Sequence, residues 1–432
     1  MEKLQINADP SKKFFIEMLT RDISLIDCIL DLIDNSVDSI IKAAKFDPMK
    51  GLYGKEKPLD AYKISVNFNK TTFSIVDNSI GITKSDAENK VFRFGSNQEE
   101  GNEAGLSVYG IGMKRSFLKI GREINFKTKN KKETIEVDID VLKWLKSADW
   151  DFSGKVNTSS GATGTVIKVS NLYDNIISNF KDQTFENRLL DKINEVYGIF
   201  LLNKLKIEVN GKKATPVIPK IAVSAKIKPS IDSFDVKGVH VKIIAGLTHE
   251  DSKSLNGWYV FCNGRLILSG DKTDRTGWGG ANLRQFHSSV NRFVGFAYFE
   301  SSKVSLLPWT TTKDGVNFDS VIYQYALNEM VKTAQPIVSY LTNLYKTDKN
   351  LEGLRSAINI SNETPLNDIK INKQSFSAPS IIESRTKDER EKISYTVSIE
   401  DMKKIRKIIG NNKISNTKIG EKTFYYFIEY ES

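Results

Sequence analysis

Two cysteines and three histidines in 432 residues are too few for a disulfide framework or a zinc cluster. Cys28 and Cys262 stand alone, and His240, His249 and His287 are scattered, so metal-cluster chemistry drops out. No apolar run comes near the roughly 20 residues that span a bilayer. The opening MEKLQINADPSKK lacks a signal-peptide core, so the cytoplasm is the expected compartment and no membrane partner is expected. No repeat of fixed period is present, which excludes solenoids and propellers. The common phosphate-binding signatures also fail: no GxxxxGK[ST], no dinucleotide fingerprint following a strand, and no HRD or DFG pair. What is there is ordinary globular material, 40% hydrophobic and 27% charged, long enough for two or three cores. The net charge of +10 and the pI near 9.1 favour an anionic partner.

Residues 1–20 read as an N-terminal arm anchored by Phe14, Phe15, Met18 and Leu19. Residues 21–172 and 173–345 read as two domains. The first opens with a helix from about Ile23 to Ala44, then the hairpin YKISVNFN/TTFSIVDNS and a glycine-rich loop from Phe94 to Gly121. The second follows a helical stretch (about 180–202) and carries two turn-centred hairpins, at Asn210-Gly211 and Asn263-Gly264, then a long helix over about 320–344. The polar stretch 346–392 reads as a linker. Residues 393–432 read as a small strand–helix–strand element.

Three stretches carry chemistry. On the first helix, Asp27, Asp31, Asp34, Asn35 and Asp38 face one side with no lysine or arginine among them. Stacked like charges weaken a helix unless something positive faces them, and Mg²⁺ bridging to phosphates suits such oxygen ligands. A solvated acidic face is the alternative. At the end of the second strand, Asp77-Asn78-Ser79-Ile80-Gly81 places a carboxylate where it could accept from an exocyclic amine or cap the next helix. Gly110-Ile111-Gly112 before a helix lets backbone N–H groups approach an anion, or is simply a surface loop.

In this order the stretches closely resemble the motifs of the Bergerat-fold ATPases called GHKL. Asp31-Leu32-Ile33-Asp34-Asn35-Ser36-Val37-Asp38-Ser39 stands at the E-[LI]-x-x-N-x-x-D-A motif, and Asp77 to Gly81 at D-x-G-x-G. Gly110 to Lys114 matches G-x-G-x-[KF], and Gly164-Thr165 matches the G-T motif. Beyond residue 172 the chain looks like the S5-like transducer domain of the Microrchidia (MORC) branch, with Lys313 in PWTTTKDGVNF at the lysine that reaches the ATP site.

The resemblance implies an α+β chain: a Bergerat ATP-binding α/β sandwich, an S5-like transducer and a small C-terminal appendage. It implies ATP with Mg²⁺, the metal on Asn35 and the adenine amine on Asp77. Gly81 would make room for the adenine, Thr165 would bond Asp77 or a water, and Asp38 would support the site. Gly105, Gly110, Ile111 and Gly112 would form the lid over the phosphates, with Ser96, Tyr109, Met113 and Lys114 as further contacts. Asp31 and Lys313 would be the catalytic pair.

Two positions depart from the motifs. Asp31 replaces a glutamate and is one methylene shorter; a misplacement of about 1 Å can cost about 100-fold in rate, so slow turnover is expected. Ser79 replaces a glycine, and a positive φ there would add about 1–2 kcal/mol of strain. Asp27 and Asp34 are expected to be ordinary helix surface. The function expected is an ATP-induced homodimeric clamp, on DNA through lysines 204, 206, 212, 213, 220, 226 and 228, in genome maintenance or anti-phage defence. The alternative is a non-hydrolysing or slowly hydrolysing, ATP-controlled interaction subunit for another effector protein.

Overall fold

The computed structural model describes residues 11–52, 56–95, 105–106, 110–249, 254–280, 282–346, 358, 361–369, 372–379 and 393–431. They belong to two compact units, one ending at Ile381 and one starting at Ile382. The first unit opens with helices α1 (Lys12–Thr20), α2 (Leu25–Ala44) and α3 (Pro48–Leu52), then strands β1 (Lys63–Phe68) and β2 (Thr72–Asp77). Short α4 (Lys84–Asp86) runs into a π-helical turn, Ala87–Val91. Next come α5 (Gly112–Ile120), β3 (Gly121–Lys129), β4 (Glu133–Asp140), α6 (Val141–Lys146), β5 (Gly154–Thr158) and β6 (Gly164–Leu172). Helices α7 (Asp174–Lys181), α8 (Phe185–Val196) and α9 (Gly198–Leu202) lead to β7 (Lys206–Val209), β8 (Lys212–Lys213) and β9 (Ile221–Val223). Strands β10 (Ser230–Val236), β11 (Val239–Leu247), β12 (Gly257–Cys262), β13 (Arg265–Asp271) and β14 (Phe293–Glu300) precede α10 (Val321–Lys346) and β15 (Asn362–Thr364). The chain is α+β. Among the described residues no helix is long and apolar enough to cross a membrane.

Helix α2 starts where its sequence asks. Ser24 accepts from the Asp27 N–H (3.1 Å) and donates to the Asp27 carboxylate (2.6 Å), an N-cap that ties Asp27 to the helix start. Its apolar stripe, with Ile29, Ile33, Val37 and Ile40 fully buried, shares one core with Phe117 of α5 and with Ile64, Val66, Phe73, Phe126 and Val169 of the first sheet. That sheet has the order β5-β4-β3-β6-β2-β1-β7-β8 among the described residues. The hairpin around Asn210-Gly211, both left-handed, lies on this sheet rather than in a new strand set, because β7 pairs parallel with β1.

The second sheet runs β10-β11-β14-β12-β13. Strands β11, β12 and β14 are buried almost continuously because both faces are covered. Tyr323, Ala326, Met330 and Ile337 of α10 join the core of one face. The other face is completed from an unexpected place. Within the stretch expected to be a linker, β15 pairs with β9, and Leu366 and Ile369 pack in one cluster with Ile244, Phe261 and Phe296. A few apolar residues suffice to fix a polar segment when a sheet face is otherwise open.

The arm is fastened differently from expectation. Phe14 and Met18 are 59% and 55% exposed. Lys12 holds it instead, donating to the Trp144 and Ser147 carbonyls (both 2.8 Å), with Phe15 edge-on to Phe94 and Trp150. In the second unit the expected strand–helix–strand is two helices, α11 (Ile399–Ile409) and α12 (Asn416–Glu431). The aromatic stretch of α12 favours a strand by propensity, yet no strand is present among this unit's described residues to take its backbone bonds. A helix satisfies them internally.

Glu300, at the end of β14, hydrogen-bonds Asp47 just before α3, and burial followed by the Asp47 charge raises its pKa to about 8. The raised value means that the folded chain holds a proton which the unfolded chain releases above about 4.5. Stability from this group is therefore complete below that value and lost as the pH rises through about 8. Against Glu300→Gln, wild-type melting temperature is expected to fall as pH rises over this range; a constant difference between the two would refute it.

Candidate functional site

A cavity of about 950 Å³ lies over α2, β2, β6, the start of α5 and the loop after β14. It is lined by Asp31, Asn35, Asp38, Asp77, Gly81, Gly110, Ile111, Gly112, Met113, Lys114, Thr165 and Lys313, so residues far apart in sequence meet in one wall. Gly105 stands beside it, its carbonyl accepting from Asn263 Nδ2 (3.0 Å). Ser96 and Tyr109 lie outside the described residues.

One end of the cavity is organised by Asp77. Its Oδ1 accepts from the Ser79 N–H (3.0 Å) and hydroxyl (2.5 Å), and its Oδ2 from the Ser36 hydroxyl (2.8 Å). Burial raises its pKa against these bonds and a backbone bond from Thr165. Apolar Ile80, Ile82, Phe126 and Ile167 line the cavity together with Asp77. Ser79 is not left-handed, so the expected strain is absent; its side chain instead orients Asp77. Gly81 is left-handed (φ 71), and a Cβ there would overlap the Lys129 carbonyl. Its need for glycine comes from the neighbouring backbone. The Thr165 hydroxyl meets Thr128 Oγ1 at 3.0 Å rather than the Asp77 carboxylate.

The other end is charged. Helix α5 begins there at Gly112 with no side-chain cap, leaving its first N–H groups for an anion. Asp31 Oδ2 accepts from Arg115 Nε (2.7 Å) and Nη2 (2.6 Å), while its Oδ1 lies 3.9 Å from Lys313 Nζ. Burial raises the Asp31 carboxyl, opposed by Lys313 and then Arg115. Asp34, expected on the surface, is wholly buried. Its Oδ2 takes Lys313 Nζ at 2.7 Å, and its Oδ1 takes Arg265 Nε (2.9 Å) and the Tyr197 hydroxyl (2.7 Å). Burial alone would raise this carboxyl; Arg265 and Lys313 outweigh burial and hold it below its usual value.

The remaining residues are placed by their backbone partners. Asn35 Nδ2 donates to the Asp31 carbonyl (2.8 Å), and Asp38 Oδ1 accepts from the Leu106 N–H (2.5 Å), tying Leu106 to α2. Lys114 donates to the Val91 carbonyl (2.7 Å), and burial lowers its pKa to about 8. Among the described residues no cluster of His, Cys, Asp or Glu could hold a metal by itself. A cation here would take one or two protein oxygens and the rest from phosphates and water, which fits Mg²⁺ and an amide such as that of Asn35.

Arg115, Arg265, Tyr197 and Ser36 were not expected. Arg115 carried a signal, since it follows Gly112 by three on a helix and shares its face. Arg265 and Tyr197 carried none.

Residues 23–169, about a third of the chain, match the family model described as histidine kinase-, DNA gyrase B- and HSP90-like ATPase. No curated protein matches the chain. The family match supports an ATP-binding and ATP-hydrolysing domain over those residues.

Proposed function

We propose that the chain is a GHKL-type ATPase whose MORC-like transducer reads the bound nucleotide and whose two copies close as a clamp on DNA. The observation that carries this reading is Lys313, whose ammonium sits in the cavity wall between Asp34 and Asp31 although it comes from the loop beyond the second sheet. A cation at the charged end, carried by the loop that follows the second sheet, links occupancy of the cavity to the position of that loop. Asp77 would take the adenine amine, and the lid and the α5 N-terminus the phosphates. Asn35 would hold Mg²⁺ through its amide oxygen; the metal supplies charge neutralisation on the phosphates. Asp31 would accept the proton of the attacking water, held in place by Arg115.

DNA is proposed from the net charge of +10 and from exposed Lys204, Lys213, Lys226 and Lys228. Lys206, Lys212 and Lys220 are already engaged, with the Asp60 carbonyl, Glu186 and Glu363. Genome maintenance or anti-phage defence in the cytoplasm is the setting that such a clamp suits. With a non-hydrolysable ATP analogue and Mg²⁺ the chain is expected to shift from monomer to dimer and to bind DNA in a steeply salt-dependent way. A monomer at saturating nucleotide would sink the clamp. The second reading, an interaction subunit that hydrolyses slowly, is favoured by one observation: the short Asp31 carboxylate is occupied by Arg115. Tight ATP binding with phosphate release only over hours would select it.

A further inference from the structure

Arg265 is 2% exposed and does not line the cavity, yet it touches both Lys313 and the carboxylate that holds Lys313. Its Nε donates to Asp34 Oδ1 (2.9 Å) and its Nη1 to the Lys313 carbonyl (2.7 Å). That carbonyl belongs to a left-handed residue, φ 56, a conformation that strains a lysine backbone. The Lys313 ammonium is held from the opposite end by Asp34 Oδ2 (2.7 Å). One guanidinium thus clamps a strained backbone and orients the carboxylate that aims the side chain. Its rigid planar fork serves the two acceptors from separate nitrogens, Nε and Nη1, whereas the donors of an ammonium all leave one nitrogen on a flexible stem.

The charges of the network point the same way. Asp31 and Asp34 face Arg115, Arg265 and Lys313, leaving one positive charge in excess among these buried groups. A buried excess charge is costly, and here it borders a cavity through Arg115 and Lys313. An anion there would complete the balance. The same turn also reaches the lid, since Asn263 donates to the Gly105 carbonyl (3.0 Å).

We propose that Arg265 is a positioning residue for terminal-phosphate recognition: it presets Lys313, so that the lysine favours ATP over ADP. This rests on the ATP reading above. In equilibrium titrations of the full chain with Mg²⁺, the wild type is expected to prefer ATP. Arg265→Lys keeps the charge but not the rigid fork that joins Asp34 to the Lys313 carbonyl, and is expected to cut that preference about tenfold or more while ADP affinity stays within about twofold. Tyr197→Phe removes a bond to the same Asp34 oxygen without touching Lys313, and is expected to keep the preference.

A measurement on the wild type needs no variant to fold. Amide exchange of residues 310–316 is expected to be slow already without nucleotide and little changed by ATP. Protection that arises only on adding ATP overturns the presetting, as does an Arg265→Lys chain with undiminished preference. Equal losses in Arg265→Lys and Tyr197→Phe overturn it too, since they mean a general loss of packing. A wild type that binds no ATP removes the nucleotide reading itself, and the proposal with it.

Discussion

Asp31→Asn is expected to slow ATP turnover by about 10²–10⁴-fold, the usual contribution of a general base, while ATP still binds. The carboxylate lines the cavity, and burial raises its pKa above the usual carboxylate value. Arg115 occupies Oδ2, and Oδ1 stands 3.9 Å from Lys313. An asparagine keeps the size and can still accept from Arg115 through its amide oxygen, but it takes no proton. Single-turnover phosphate release, read beside nucleotide affinity, separates the two effects. Turnover unchanged from wild type would remove Asp31 as the base. Restoring the glutamate is not expected to help. Asp31 Oδ2 is already held by Arg115 at 2.6 Å, and Gly112 of α5 stands beside the same side chain. An added methylene would displace Arg115 or strain α5, at about 1–3 kcal/mol.

The parts of this site that were legible in the sequence are those written locally. The period of α2, the Asp77 strand end and the glycines before α5 each sit within a few residues of one another. Their convergence on one cavity follows from β2, β6 and α2 sharing a core. What was illegible depends on distance along the chain. Arg265 meets Asp34 across 231 residues and Tyr197 meets it across 163, so no spacing rule marks either. Asp34 itself was misread for the same reason: on the helix its nearest charged neighbours, Asp31 and Asp38, are both acidic, and its cations arrive from elsewhere. Ser79 shows a different limit. A motif position that favours glycine suggested strain, but the residue is not left-handed and uses its hydroxyl on Asp77. Leu366 and Ile369 are too sparse to give a period, and only the open sheet face gives them meaning.

Asp34→Ala is expected to destabilise the chain by about 3–5 kcal/mol, because it leaves Lys313 and Arg265 buried without their shared carboxylate. The penalty comes from the stranded cations more than from the lost attraction. The pH dependence carries the sign. A carboxyl held below its usual value contributes stability that is present above the unfolded carboxylate range and lost as the pH falls through the folded value. Wild type and Asp34→Ala should therefore converge in melting temperature on strong acidification and differ most near neutrality. Replacing Asp34, Arg265 and Lys313 together by apolar residues of similar volume tests what the network is for. Such exchanges are often neutral for stability or better. If the triple variant regains stability but has lost the preference for ATP, the buried ions serve the nucleotide. If both return together, the network only packs the junction of α2 with the second sheet.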